Sequence, residues 1–343
     1  MLSYLGLLLV VFSSWALTGL VRRYALANSL IDIPNERSSH ALPVPRGGGV
    51  SIVIIFFIAL IVMWLSGWLA DSYVLGLLGA GVGVAVIGFL DDHGHVAARW
   101  RLLAHFIAAA WAVFCLGGLP PLVVLGVDLN LGWLGHGLVV LYLVWLLNLY
   151  NFMDGIDGIA GIEAITVCLA AAVIYVFTQT DVAELLPVLV MIAAVLGFLI
   201  WNFPKAKIFM GDACSGFLGL VLGVFSIQAA WIGSELFWAW VILLGVFIVD
   251  ATVTLFRRVL RGDKFYQAHR SHGYQYAARK YQSHVKVSLS VGFVNIFWLF
   301  PVALLVGMDW LDSVIGLIIA YIPLVLLAVL FKAGQAEAVF VKT

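Results

Sequence analysis

Residues 137–178 read GLVVLYLVWLLNLYNFMDGIDGIAGIEAITVCLAAAVIYVFT. An apolar run over 137–153 ends in a polar, glycine-rich patch, and a second apolar run over 160–178 follows at once. Each run is close to the roughly 20 residues that a helix needs to cross a bilayer. The stretch therefore predicts two spans joined by a short turn that carries acids at membrane depth.

The pattern repeats along the chain. About eleven such runs are expected, near 2–21, 49–69, 73–90, 102–119, 137–153, 160–178, 186–203, 213–231, 236–256, 286–307 and 312–331. Of the 343 residues, 64% are hydrophobic and only 10% charged, where a soluble domain is nearer one half and one quarter. With a mean hydropathy of +1.11, the class is an all-α integral membrane protein. A formal net charge of zero gives no sign of a nucleic-acid partner. Cys115, Cys168 and Cys214 lie far apart without metal or disulfide spacing. The first apolar run is followed rather than preceded by charge, so it reads as a retained span and not as a signal peptide.

Orientation follows from the basic residues. With the N-terminus placed outside, all 18 Lys and Arg fall on the cytoplasmic side, from Arg22 to Lys342. The other side carries acids, among them Asp71, Asp128, Asp181 and Asp309. The expectation is a periplasmic N-terminus, a cytoplasmic C-terminus and one polytopic domain over 1–343. Cytoplasmic loops fall near 22–48, 91–101, 148–160, 204–212 and 257–285. The segment 120–136 is too short and Gly-rich for a span and reads as a small periplasmic hairpin.

Acids at membrane depth are costly and mark candidate sites. Asp91 and Asp92 end the third span as adjacent carboxylates, which repel unless a cation or proton sits between them. Asn148, Asn151, Asp154 and Asp157 repeat every three residues, so neighbours share a helix flank. Gly155 and Gly158 thin the backbone beside them and allow close approach by a ligand. Asp212 opens the eighth span, whose first N–H groups suit phosphate, with Lys205 and Lys207 upstream. Asp250 lies inside the ninth span, where an ionised carboxylate needs a partner. His269, Arg270 and His272 read as phosphate contacts. In the first loop, Asn35, Arg37, Ser38, His40 and Arg46 precede Gly47, Gly48 and Gly49, which can bring backbone close to a ligand. His93, His95, His105, His136 and His284 receive no role. All five clusters fall on the cytoplasmic side, and together they describe a site for a diphosphate bound to Mg²⁺, a hard ion that prefers oxygen ligands.

DD at 91–92, NFMDGIDGIAG at 151–161, FMGDACSGFLG at 209–219 and the histidines at 269–272 resemble the polyprenyl-phosphate N-acetylhexosamine-1-phosphate transferases. That superfamily includes the MraY and WecA enzymes. The resemblance covers roughly residues 1–330. It implies a helical membrane fold with a cytoplasmic cleft in a bacterial inner membrane, a UDP-N-acetylhexosamine donor, undecaprenyl phosphate as acceptor, and Mg²⁺ with Mn²⁺ as a substitute. By resemblance Asp212 is the clearest metal ligand, and Asp91 and Asp92 lie at the acceptor-phosphate and metal position. Asp154, Gly155 and Asp157 belong to the nucleoside pocket, Phe209 stacks on uracil, Asn148 and Asn151 lie beside the diphosphate, and Arg46 and Arg270 contact substrate. The run His269-Arg270-Ser271-His272 departs from the three consecutive histidines of the muramoyl-pentapeptide transferases and from the His-x-His-His of WecA. It looks most like the WbpL-type enzymes that start O-antigen chains. The bilayer and a second copy in a homodimer complete the expected partners. The rival readings are a secondary transporter, whose acids would sit nearer the midplane, and an intramembrane prenyltransferase with spaced acidic pairs.

Overall fold

The structure is a computed structural model that describes residues 4–34, 42–94, 96–263 and 269–336. Helices run in chain order as α1 (Tyr4–Ala27), α2 (Val50–Leu65), α3 (Asp71–His93), α4 (Ala98–Cys115), α5 (Gly132–Met153), α6 (Ile159–Phe177) and α7 (Val182–Asn202). There follow α8 (Asp212–Ile232), α9 (Ser234–Leu243), α10 (Gly245–Leu260), α11 (Gly273–Tyr281), α12 (His284–Val294), a π-helical turn (Asn295–Leu299), α13 (Phe300–Gly307) and α14 (Ser313–Leu330). Among the described residues the only strands are two small antiparallel hairpins, β1 (Ile31–Asp32) with β2 (Val44–Pro45) and β3 (Leu122–Val124) with β4 (Val127–Leu129). The second is the hairpin expected within 120–136.

The chain is an all-α integral membrane protein. Among the described residues, eight helical segments are long and apolar enough to cross a bilayer, with α12, the π-turn and α13 forming one of them. The pair α9 and α10 adds a ninth if counted as one span, but it is bent by 66°. The sequence presents 236–256 as a single apolar run and gives no warning of this break. Helix α2 has 16 residues, and α4 begins with Arg99 and Arg101 in its first turn.

Helix α8 is the hub. Its span is 94% buried, against 11% for α1 at the edge. Large apolar side chains such as Leu5, Phe114, Phe256, Phe297 and Leu326 remain exposed on the outside, as lipid contact allows. Without a hydrophobic drive between helices in lipid, close packing through small residues holds a bundle together. Glycines supply it here. A Cβ on Gly219 of α8 would lie 2.4 Å from the Leu146 carbonyl oxygen of α5. One on Gly88 of α3 would lie 2.5 Å from the Asp212 carbonyl oxygen and 2.6 Å from the Ala213 nitrogen.

Because those atoms are backbone, they cannot step aside. Gly88→Ala should destabilise by about 1–3 kcal/mol, the cost of overpacking. Gly83→Ala, whose new Cβ would meet only Ala108 Cβ at 3.9 Å, should be neutral or gain up to about 1 kcal/mol from helix propensity. Thermal unfolding of the two variants in detergent checks the pair.

Candidate active site

Helix α3 ends where α8 begins, and that junction builds the site. The Asp92 side chain, 6% exposed, accepts hydrogen bonds from the backbone N–H groups of Asp212 and Ala213. It thus caps the first turn of α8, whose N–H groups have no partner within the helix. Arg46 donates to the Asp92 carbonyl oxygen. Gly211 takes φ of +85° at the turn, and a Cβ there would meet Asp92 Oδ2 at 2.7 Å.

The glycine run of the first loop serves the same junction. The N–H groups of Gly48 and Gly49 donate to the carbonyls of Phe209 and Met210, both at 2.9 Å. A Cβ on Gly49 would strike Cys214 at 2.2 Å. Gly48 and Gly49 are therefore spent on packing against the start of α8, and only Gly47 of the three faces open space. Asn35, Arg37, Ser38 and His40 lie outside the described residues.

The second polar cluster sits opposite. Helix α5 stops at Met153, and Asp154, Gly155 and Asp157 follow in the turn before α6. Gly158 adopts φ of +75°, and its N–H donates to Asn202 Oδ1 at 2.9 Å. Asn202 Nδ2 donates in turn to the Ile208 carbonyl at 2.9 Å. One buried amide therefore ties the DGIDG turn to the loop that carries Phe209 and Asp212. His284 lies 3.3 Å from Asp157 Oδ2.

These segments enclose a cleft of about 220 Å³ lined by Arg46, Asp92, Asp154, Gly155, Asp157, Phe209 and Asp212, with Asp32, Asn202, Gln275 and His284 completing the wall. A larger groove of about 780 Å³ opens beside it between α3, α4, α5 and α10. Asn148, Asn151, His269 and His272 line the groove, together with Val84, Leu102, Leu141, Val144, Trp145 and Leu255. Cleft and groove share Gly155, Asp212 and Gln275.

Two of the expected residues face elsewhere. Asp91 pairs with Arg101 and accepts from the Val96 N–H at 2.8 Å, and it lines neither cavity. Arg270 lines a third cavity, with Lys205 and Arg279. Asp250 has found its partners: it accepts from the N–H groups of Gly273 and Tyr274, both at 2.9 Å, and His272 Nδ1 lies 3.4 Å away. It anchors the start of α11 and so holds the histidines in place. His269 and His272 stack at 4.9 Å, and His272 Nε2 is buried without a partner. Burial, with His272 and Arg258 nearby, lowers His269 to about 3, so it is a neutral hydrogen-bonding group at ordinary pH.

Arg101, Asn202, Gln275 and His284 belong to the site although nothing in the sequence singled them out. Arg101 reaches within 3.6 Å of Asp212 but reads as one more positive-inside charge. Asn202 sits at the end of an apolar run, and only the structure shows that its side chain is buried.

Among the described residues, five carboxylates line the cleft, with Arg46 and His284 as their only basic company. Burial, and then the charges of Asp212, Asp92 and Asp157, hold the Asp154 carboxyl well above the usual carboxylate range. A donor set dominated by carboxylate oxygens, with excess negative charge, fits a hard divalent cation. Among the described residues no three acids or histidines form a ready ligand cage. Mg²⁺, which keeps several waters and takes one or two carboxylates plus substrate phosphates, fits the carboxylates of this cleft.

Residues 74–230 match the model of glycosyl transferase family 4. The chain is also 30% identical over 262 residues to the probable undecaprenyl-phosphate N-acetylglucosaminyl 1-phosphate transferase of Bacillus subtilis, covering 75% of this chain and 72% of that one. The chain belongs to glycosyl transferase family 4. Similarity extends to the phospho-N-acetylmuramoyl-pentapeptide-transferase of Bacillus licheniformis, 29% identical over 72% of this chain and 78% of the relative. The decaprenyl-phosphate N-acetylglucosaminephosphotransferase of Mycolicibacterium smegmatis is 27% identical over 67% of this chain, which spans 60% of that relative's length. The family match begins in α3 and ends in α8, so it takes in Asp92, the DGIDG turn and Asp212 but not the histidine loop.

Removing one negative charge from the cleft should relieve the repulsion. With its carboxyl raised in the folded state, Asp154 favours folding at low pH, and that contribution is lost as pH rises through the raised value. Asp154→Asn should therefore unfold at a higher temperature than the parent at neutral and alkaline pH, with a flatter pH profile, while losing activity. Thermal scans across pH without added divalent cation check this.

Proposed function

We propose that the chain transfers an N-acetylhexosamine 1-phosphate from a UDP-sugar to undecaprenyl phosphate, releasing UMP, at the cytoplasmic face of a bacterial inner membrane. The observation that carries this reading is the junction of an acidic polar cleft with a long, largely apolar groove at Asp212 and Gly155. A nucleotide diphosphate suits the first and a polyprenyl tail the second. The names of the relatives, which act on polyprenyl phosphates, support the same assignment.

In this reading Phe209 offers a flat face to uracil, and Asp154 and Asp157 face the nucleoside. The acceptor phosphate enters along the groove past His269 and His272, and the neutral imidazole of His269 can donate a hydrogen bond without a fixed charge. An oxygen of the acceptor phosphate forms a bond to the β-phosphorus while the bond from that phosphorus to the α–β bridging oxygen breaks. UMP leaves with the electron pair, and the sugar keeps its anomeric configuration. Because the nucleophile is already an anion, no general base is required. The chain's main work is alignment and charge balance, as is general for phosphoryl transfer. Asp212, with Asp92, would hold Mg²⁺, which when bound supplies neutralisation of charge on the diphosphate. Asp91, paired with Arg101, orients that arginine beside Asp212. The downstream product is an O-antigen, lipopolysaccharide or related envelope glycan.

Purified protein given undecaprenyl phosphate, Mg²⁺ and a panel of UDP-N-acetylhexosamines should release UMP only when both lipid and metal are present. Asp212→Asn should lower the rate by about 10²-fold or more, as for loss of a group that stabilises transition-state charge, with the protein still folded. Release without lipid, or near-normal turnover by the variant, would contradict the proposal.

A further inference from the structure

Glu163 stands apart from the cleft. It lies little more than a turn into α6, inside the span, and is 0% exposed. Asn295, also 0% exposed, opens the π-helical turn between α12 and α13. Asn295 Nδ2 donates to Glu163 Oε2 at 2.6 Å and to Thr166 Oγ1 at 2.8 Å. Thr166 passes its own proton to the Ile162 carbonyl at 2.8 Å. Both amide hydrogens and the threonine hydroxyl are thus accounted for.

What remains is informative. Glu163 Oε1 and Asn295 Oδ1 are buried with no partner, as is the hydroxyl of the neighbouring Tyr150. The first two are acceptors if the acid is ionised, and leaving two buried acceptors unmet is costly. The other polar atoms of the same two groups, Glu163 Oε2 and Asn295 Nδ2, are already joined to each other.

An ionised Glu163 would also lack a counter-charge. Its surroundings are the Phe247 N–H at the start of α10, Thr166 on α6, Asn295 from the π-turn, Tyr150 from α5 and Tyr321 from α14. Tyr321 is committed to the Val241 carbonyl at 2.7 Å. Phenols, amides and hydroxyls cannot neutralise a carboxylate, and among the described residues no lysine, arginine or histidine pairs with it. An isolated charge at this depth neutralises instead.

We infer that Glu163 is carried as a neutral carboxylic acid whose Oε1 proton is given to Asn295 Oδ1, and that this two-bond clasp positions Asp157 through α12. A single proton removes the buried charge and satisfies both orphaned oxygens of the pair. The link to Asp157 follows from the residues on α12 between the clasp and the cleft. Ser288 Oγ donates to the Asp157 carbonyl at 2.8 Å, and His284 lies against the Asp157 carboxylate. Gly292 keeps α12 close to α6, since a Cβ there would meet Ile162 at 3.0 Å. Positions 284, 288, 292 and 295 lie on one helix face, so the clasp fixes the far end of the same helix that holds the DGIDG turn. The positioning half of the inference rests on the proposed transfer reaction, whereas the protonation half does not.

The test uses Glu163→Gln and Asn295→Leu in the full-length protein in detergent. Glutamine keeps both bonds of the clasp without an ionisable proton. Because the folded acid is neutral and the unfolded one ionises, wild-type stability should fall as pH rises. Glu163→Gln should match wild type at mildly acidic pH and surpass it at alkaline pH, equally in sodium and choline chloride. In turnover assays Glu163→Gln should keep the donor KM. Asn295→Leu should raise it by about tenfold, as loss of a buried hydrogen bond does, with the lipid KM unchanged. Loss of stability by Glu163→Gln at every pH would overturn the protonation, as would a sodium-dependent rise in the wild-type midpoint that the variant lacks. An unchanged donor KM in Asn295→Leu, with wild-type turnover established, would overturn the positioning. If wild type shows no turnover, the pH and salt scans still decide the protonation half.

Discussion

The contact on which the rest depends is the Asp92 side chain laid across the N-terminus of α8. One carboxylate joins the end of α3 to the start of the most buried helix, and Gly88 and Gly211 allow the two backbones to meet. Asp212 is the first residue of α8, so its place is set by that join. The Pro45–Gly49 segment, bonded to Phe209 and Met210, closes the same corner from the other side. Without the cap, the first turn of α8 would leave N–H groups unmet beside a cluster of acids.

The price of the site is electrostatic. The cleft gathers carboxylates that repel one another, and the fold opposes that repulsion with a small number of fixed partners. Arg101 sits between Asp91 and Asp212, Arg46 holds the Asp92 carbonyl, and Asn202 and Ser288 brace the DGIDG turn by its backbone. Those contacts keep the acids in place while leaving Asp154, Asp157 and Asp212 on the cleft wall. The same separation holds at the histidines, where Asp250 spends its oxygens on the N-terminus of α11 and leaves His272 Nε2 buried and unpaired. Polar groups away from the cleft are used to hold helices, and Glu163 with Asn295, both fully buried, is one such pair.

The sequence made the membrane class legible because hydropathy reads directly at the scale of a span. It also exposed Asp154, Asp157 and Asp212, since acids beside glycines at span ends have no ordinary reason to be there. It did not show the break between α9 and α10, because an apolar run looks the same straight or bent. Arg101 and His284 stayed hidden for a different reason: each acquires its meaning from a partner distant in the chain, Arg101 from Asp212 and His284 from Asp157. Gly48 and Gly49 misled by type, for a glycine that admits a ligand and one that admits a neighbouring helix look alike until the neighbour is seen.

The central claim is that phosphorus, and not the sugar alone, changes hands at the junction of cleft and groove. Donor labelled with radiophosphorus at the β-position, incubated with the purified protein, Mg²⁺ and undecaprenyl phosphate, tests it directly. The account predicts that label and sugar appear together in the lipid fraction. Label left in the aqueous nucleotide while the sugar enters the lipid would mean that the glycosidic bond is the one broken, and would contradict it.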